Sequence, residues 1–208
     1  MRVKTDAKRR AIIEEAGKVF NAVGFERASM AEICTRVGGS RTTVYNYFPS
    51  KQELFIAVVI ESVAAEYEAV HQPFEEQVED VGEALRCYGE RFIALIYSPK
   101  IVVTRHMMIA QAKHSKAVHE LYEQGALRSQ QLIAQFLEPL MAAGRLRPAD
   151  PLIAASHLIS LLETEFRHLL LLDSPEVLSN EVIREGTRRA VEVFMGGYGA
   201  APVRGKDD

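Results

Sequence analysis

The chain has 208 residues, 48% of them hydrophobic, enough apolar material for one domain or two small ones with a real core. Its most apolar run, residues 152–172, is interrupted by His157, Glu163, Glu165, Arg167 and His168, which excludes a membrane span of roughly 20 uncharged residues. The net charge of −3 divides unevenly: residues 1–51 carry ten Lys or Arg against five Asp or Glu, and the remainder fifteen against twenty-three, so a small basic module sits on an acidic body and only the first is suited to a polyanion.

Apolar residues recur at helical spacing almost throughout, and the chain reads as all-α, with about nine helices. The first carries Ile12, Ile13, Ala16, Val19, Phe20 and Val23 on one stripe and stops at Gly24. Ser29 caps a second helix, with Glu32 completing a capping box, and that helix ends at Gly38 and Gly39. Ser40 caps a short third helix that Pro49 terminates. Ser50 caps a fourth, predicted over 51–71. Longer helices follow over 81–97, 99–112, 116–143 with Pro139 near its end, 150–172 and 175–195. The composition divides the chain into a helix-turn-helix module over 1–51, a helical body over 52–197 and a disordered tail over 198–208.

Two short capped helices joined by a glycine turn have the dimensions of a helix-turn-helix, whose second helix lies in the DNA major groove. The stretch "SRTTVYNYFPSK" supplies that helix. Arg41 at its first turn can chelate guanine, and Thr42 and Thr43 offer hydroxyls and methyls to phosphates and bases. Periodicity turns Val44 and Phe48 inward, leaving Tyr45, Asn46 and Tyr47 near the DNA backbone. Lys51, in the first turn of the next helix, suits a phosphate contact.

The run from Phe20 to Phe55, "FNAVGFERASMAEICTRVGGSRTTVYNYFPSKQELF", resembles the N-terminal DNA-binding domain of TetR-family transcriptional regulators. It holds Phe20, Gly24, Ser29, Tyr45, Tyr47, Phe48, Ser50, Lys51, Leu54 and Phe55 where that family has its characteristic residues. Thr42 stands where a glycine is usual, and "VGGS" replaces the usual "Ala-Gly-Val-Ser" turn. The resemblance implies that Arg41, Thr42, Thr43, Tyr45, Asn46, Tyr47 and Lys51 face DNA, and that Ser29 lies close to a phosphate. It also implies that the body is a ligand-binding and dimerisation domain, which from "SPKIVVTRHMMIAQ" to "GRLRPADPLIAASHLISLLETE" is similar to the AefR-like branch.

The body's own residues suggest two features. Met107, Met108 and Gln111 on one helix, with Phe92, Ile96 and Tyr122 from its neighbours, could line an adaptable apolar cavity; Tyr67 and His71 would border it. Polar groups among leucines, His157 and Glu163 in particular, add the few polar contacts such a site needs. Helix 150–172 is apolar around much of its circumference, so Leu158, Leu162, Phe166 and Leu169, with Ile183, Ala190, Val191 and Phe194 of the last helix, are predicted to form a homodimer face.

No HxxxH, HExxH or GxSxG motif and no phosphate loop occurs, so neither a metal, a cofactor nor an enzymatic activity is expected. A charged start without an apolar signal segment predicts a cytoplasmic protein. Cys34 and Cys87, far apart and without CxxC spacing, read as two reduced, buried thiols. The function these features support is a repressor that binds a near-palindromic operator as a homodimer and is released by a small, largely apolar molecule. The competing reading is a helical carrier or interaction protein whose helix-turn-helix no longer reads DNA; such a protein would have lost the cations and hydroxyls of the groove face.

Overall fold

A computed structural model describes residues 5–38, 40–62, 64–72, 79–171 and 177–200. The described residues form eleven helices and no strand: α1 Asp6–Arg27, α2 Met30–Val37, α3 Arg41–Tyr47, α4 Lys51–Ser62, α5 Ala64–Val70, α6 Val81–Ile96, α7 Pro99–Ala112, α8 Lys116–Ala142, α9 Pro151–Thr164, α10 Arg167–Leu171 and α11 Asn180–Tyr198. Two compact units emerge, residues 1–65 with 104–120, and residues 66–103 with 121–208. The first unit runs past the expected boundary at residue 51 because α4 inserts Leu54 and Ala57 into the core of α1 to α3. Much of the expected tail, residues 201–208, lies outside the described residues, as do Gly39 and residue 63.

Each of α1 to α4 begins where a serine or threonine can take an orphan backbone N–H. Thr5 accepts from Lys8, Ser29 from Glu32, Ser40 from Thr43 and Ser50 from Glu53, at 3.3, 3.1, 3.2 and 3.1 Å. Gly24 breaks α1 as expected, though helical structure resumes after it through Arg27. Its backbone, at φ 78° and ψ 165°, occupies a region open essentially to glycine alone. The turn it makes folds Phe25 back, so that the Phe25 and Phe55 rings meet at 5.0 Å and Phe20 and Phe55 at 5.2 Å. Val44 and Phe48 are buried in the same core, as periodicity required.

The second unit packs α6, α9 and α11 around Leu85, Tyr88, Ile93, Leu137, Leu158 and Phe194. Gly89 permits a close approach: a Cβ there would lie 2.7 Å from the side chains of Leu162 and Thr187. α11 runs antiparallel to α9, since the Tyr198 hydroxyl, at the end of α11, meets His157 in the middle of α9 at 2.6 Å while Arg189, earlier in α11, reaches Glu165 just past the end of α9 at 2.6 Å.

Two predicted helices divide differently in the structure. Helix 150–172 is interrupted at Glu165 and Phe166, where the chain tightens into three-residue turns, Phe166 N–H to Glu163 O and Leu169 N–H to Phe166 O. The last helix starts after its cap Ser179, whose hydroxyl accepts from Val182 N–H, with residues 177–179 non-helical; the expected start at residue 175 lies outside the described residues. Cys34 is buried but Cys87 is exposed, because it lies on the outer face of α6 beside Glu83, at 3.6 Å.

Candidate nucleic-acid interface

α3 presents two faces. Val44 and Phe48 close the core, and Arg41, Thr42, Tyr45 and Asn46 stand exposed on the other side. Thr43 is half-buried, its hydroxyl 2.9 Å from that of Ser40, so it braces the cap of α3 from within the turn. Tyr47 is half-buried, and its hydroxyl accepts the Thr5 backbone N–H at 2.8 Å. That bond ties the start of α1 to the end of the recognition helix across 42 positions of sequence, a link that no local pattern could reveal. Ser29 is exposed at the N-terminus of α2.

Lys51 is placed otherwise than expected. Its ammonium donates to the carbonyls of Phe25, Glu26 and Ala28 at 2.8, 3.3 and 3.1 Å and lies 4.3 Å from the centre of the Phe25 ring. An ammonium has three protons, and these carbonyls match all three. In the chain on its own the ammonium is thus directed to the protein's own backbone.

The ten residues expected around a cavity do not gather in either unit. Met107, Met108 and Gln111 belong to the first and the other seven to the second. Met108 is buried, and the side chain of Gln111 lies outside the described residues. Phe92 is a core residue whose ring stacks on Tyr88 at 5.6 Å. Ile96 and Glu163 are half-buried, and Tyr122 and His157 are exposed.

Tyr67 and His71 do come together. Their rings stack at 4.0 Å, and the Arg128 guanidinium lies 5.3 Å from the Tyr67 ring while pairing with Glu68 at 2.7 Å. His71 is buried, with Nδ1 2.7 Å from the Tyr67 carbonyl and Nε2 2.7 Å from Ser129 Oγ. A carbonyl only accepts, so Nδ1 carries the proton, and Nε2 faces the Ser129 hydroxyl, which also lies 3.3 Å from the Gly125 carbonyl. Burial holds the imidazole below its ordinary value, and the bond to the Tyr67 carbonyl partly offsets this.

An unfolded chain protonates this ring first as pH falls past about 6.5. The stability that His71 contributes is complete above that pH and is lost on acidification from there through the folded value. Urea titrations should show this loss in the wild type and its absence in His71→Gln, whose amide can still donate to Tyr67 and accept from Ser129. His71→Leu should lower stability at neutral pH by about 1 kcal/mol, since the buried bond between His71 and Ser129 is lost. Equal acid sensitivity in wild type and His71→Gln would assign it to another group.

The eight residues expected on a homodimer face are turned the other way. Leu158, Leu162, Phe166, Leu169, Ile183, Ala190, Val191 and Phe194 are each at most 7% exposed within the single chain, leaving no surface for a partner. The same two helices expose Leu152, Ile153, Val182 and Val193, between 48% and 61%. Among the described residues, no group of three or more His, Cys, Asp or Glu is placed to hold a metal ion. No single described helix is long and apolar enough to cross a membrane.

A capped helix pair across a glycine turn, with a cation and hydroxyls on the outer face of the second helix, defines a helix-turn-helix regulator. Residues 12–58 match the family model of bacterial regulatory proteins of the tetR family, and residues 83–200 match that of the AefR-like transcriptional repressor C-terminal domain. The chain belongs to the TetR family, with a C-terminal domain of the AefR-like kind.

Among similar proteins, the HTH-type transcriptional activator FasR of Mycolicibacterium smegmatis is 33% identical over 95 residues, 46% of this chain and 43% of FasR. The HTH-type transcriptional regulator RutR of Escherichia coli K12 is 40% identical over 53 residues, 26% of this chain and 25% of RutR. The matched stretches thus span less than half the length of either relative. A TetR-family regulator from Mesorhizobium loti superposes with a TM-score of 0.75 at 26% identity, covering 95% of this chain and all of that one. The flavonoid-responsive regulator FrrA gives 0.68 at 27% identity, with 95% and 100% covered.

Proposed function

We propose that the protein is a repressor that binds a near-palindromic operator as a homodimer and releases it when a small, largely apolar molecule binds the second unit. The observation that carries the reading is the outer face of α3, where Arg41, Thr42, Tyr45 and Asn46 are exposed over a buried Val44 and Phe48. A chain that had lost DNA binding would have no use for that face, which argues against the carrier reading. Ser29, Thr43 and Tyr47 complete the DNA-contacting set. A dimer presents two such helices, and half-sites about one turn, roughly 34 to 36 Å, apart would receive them.

The exposed Leu152, Ile153, Val182 and Val193 are the surface on which the two copies would meet. Release follows if the ligand favours a state in which the recognition helices no longer match that spacing; equal affinity for both states would shift nothing. The likeness to FrrA, whose name states a response to flavonoids, supports a ligand of aromatic, largely apolar character. Repression is supported by the description of the matched C-terminal family, whereas FasR is named an activator.

Footprinting the full-length protein on DNA upstream of its own gene, with a reporter fused to that promoter, tests the proposal. Protection of an inverted repeat and a rise in reporter output when the gene is deleted are expected. Protection with a fall in output would make the protein an activator, and no protection of any site would return the carrier reading.

A further inference from the structure

We infer that Lys51 is a latch and not a DNA ligand: its ammonium fixes the first turn of α4 to the corner after α1 and thereby sets the pose of the recognition helix. The inference rests on the DNA-binding reading and names the residue that positions its reading head.

The corner creates the need. Where Gly24 leaves helical geometry, the ladder of α1 is broken, and the carbonyls of the following turn point outward without the partners a continuing helix would supply. Carbonyl oxygens at a helix C-terminus carry partial negative charge and favour a cation. Lys51 meets them at 2.8, 3.3 and 3.1 Å, from residues 23 to 26 positions earlier in the chain. Its ammonium also sits on the Phe25 face at 4.3 Å, while the same ring packs on Phe55 of α4 at 5.0 Å. The side chain is half-buried, so these bonds are only partly shared with water.

The latch lies one short link from the groove face. α3 ends at Tyr47, Phe48 caps it by donating its N–H to the Val44 carbonyl at 2.9 Å, and only Pro49 and Ser50 separate that cap from Lys51. Ser50 in turn caps α4. The end of α3 and the start of α4 therefore share three residues of chain, and whatever holds α4 to the α1 corner holds the C-terminal end of α3. The Tyr47 bond to Thr5 fixes α3 from the other side of α1. A proton donor withdrawn from the corner would free α3 to tilt about that second anchor.

A phosphate ligand and a latch differ in what they do to salt dependence. Each phosphate neutralised contributes about 0.9 to the slope of log K against log salt. Lys51→Met keeps the hydrocarbon stem and removes the donors; Lys51→Gln removes the charge and keeps two N–H donors. The latch predicts that neither variant changes the slope on operator DNA. It predicts that Lys51→Met binds the operator about tenfold more weakly, the scale of a coupling carried through a positioning contact, with random duplex binding nearly unchanged, and that Lys51→Gln recovers most of the loss. Binding is measured at a temperature where circular dichroism shows every variant folded.

A readout without DNA separates this from the parent reading. In 15N-labelled wild-type protein the Lys51 ammonium protons should exchange slowly enough with water to be seen, unlike those of fully exposed lysines. A slope lowered by about one in both variants, or an ammonium that exchanges like the exposed ones, would overturn the latch. Wild-type protein that binds no duplex, with a slowly exchanging Lys51, would instead overturn the DNA reading and leave the latch as a contact within the fold. If Lys51→Met does not fold, the slope and affinity of Lys51→Gln decide.

Discussion

Ile153→Glu or Val193→Glu should convert a dimer into monomers and reduce operator affinity by two orders of magnitude or more, while leaving the fold of each protomer intact. Both residues are more than half exposed, at 54% and 61%, so in a single chain the new carboxylate is solvated and the change in stability should stay within about 0.5 kcal/mol. Across a two-fold interface the same carboxylate is buried twice. An uncompensated buried charge costs about 3 to 5 kcal/mol, which exceeds what a dimer of ordinary affinity can absorb.

Sedimentation velocity reads the assembly and urea titration the stability. Ser156→Glu on the exposed face of α9 tests how far the interface extends. Variants that remain dimeric would place the interface elsewhere, and variants that unfold would show that these side chains serve the protomer.

The fold was legible in the sequence where its causes are local. Ser29, Ser40 and Ser50 each cap a helix because a hydroxyl before a helical run can take an N–H three residues on, and Gly24 breaks one because its backbone geometry excludes other residues. The break at Phe166 was hidden. Its neighbours are good helix formers, and the deciding partner lies elsewhere: Phe166 is buried against Tyr97 at 5.7 Å and fills the space over Gly186, where a Cβ would come within 2.6 Å of the ring.

The surface of the second unit was hidden for a related reason. Periodicity shows that α9 and α11 have apolar faces but not which one the chain itself covers, so the residues that fill the protomer were read as the face left over. Which side of α3 is exposed was easier to read, because α3 is short, amphipathic and fixed by its own cap. The bonds of Lys51 to the carbonyls of Phe25, Glu26 and Ala28 were not legible, because they depend on the distant Gly24 corner.

The remaining large effect falls on Arg41. It occupies the first position of α3, directly after the Ser40 cap, and its side chain is exposed. Side chains of that first turn approach the base edges when the helix enters the major groove. A guanidinium there can donate two parallel bonds to the O6 and N7 of one guanine, a discrimination of about 1 to 3 kcal/mol against the wrong base. Arg41→Ala should therefore weaken operator binding by about that amount and flatten the preference at one position of each half-site. Arg41→Lys should restore charge and part of the affinity but less of the preference, because an ammonium is a point charge without the planar fork. Competition binding against a library of single-base operator variants separates the two effects. A loss from Arg41→Ala equal on operator and random duplex, with the salt slope lowered by about one, would mean that Arg41 touches only phosphate; the bases would then be read by Thr42, Tyr45 and Asn46, the other exposed side chains of α3.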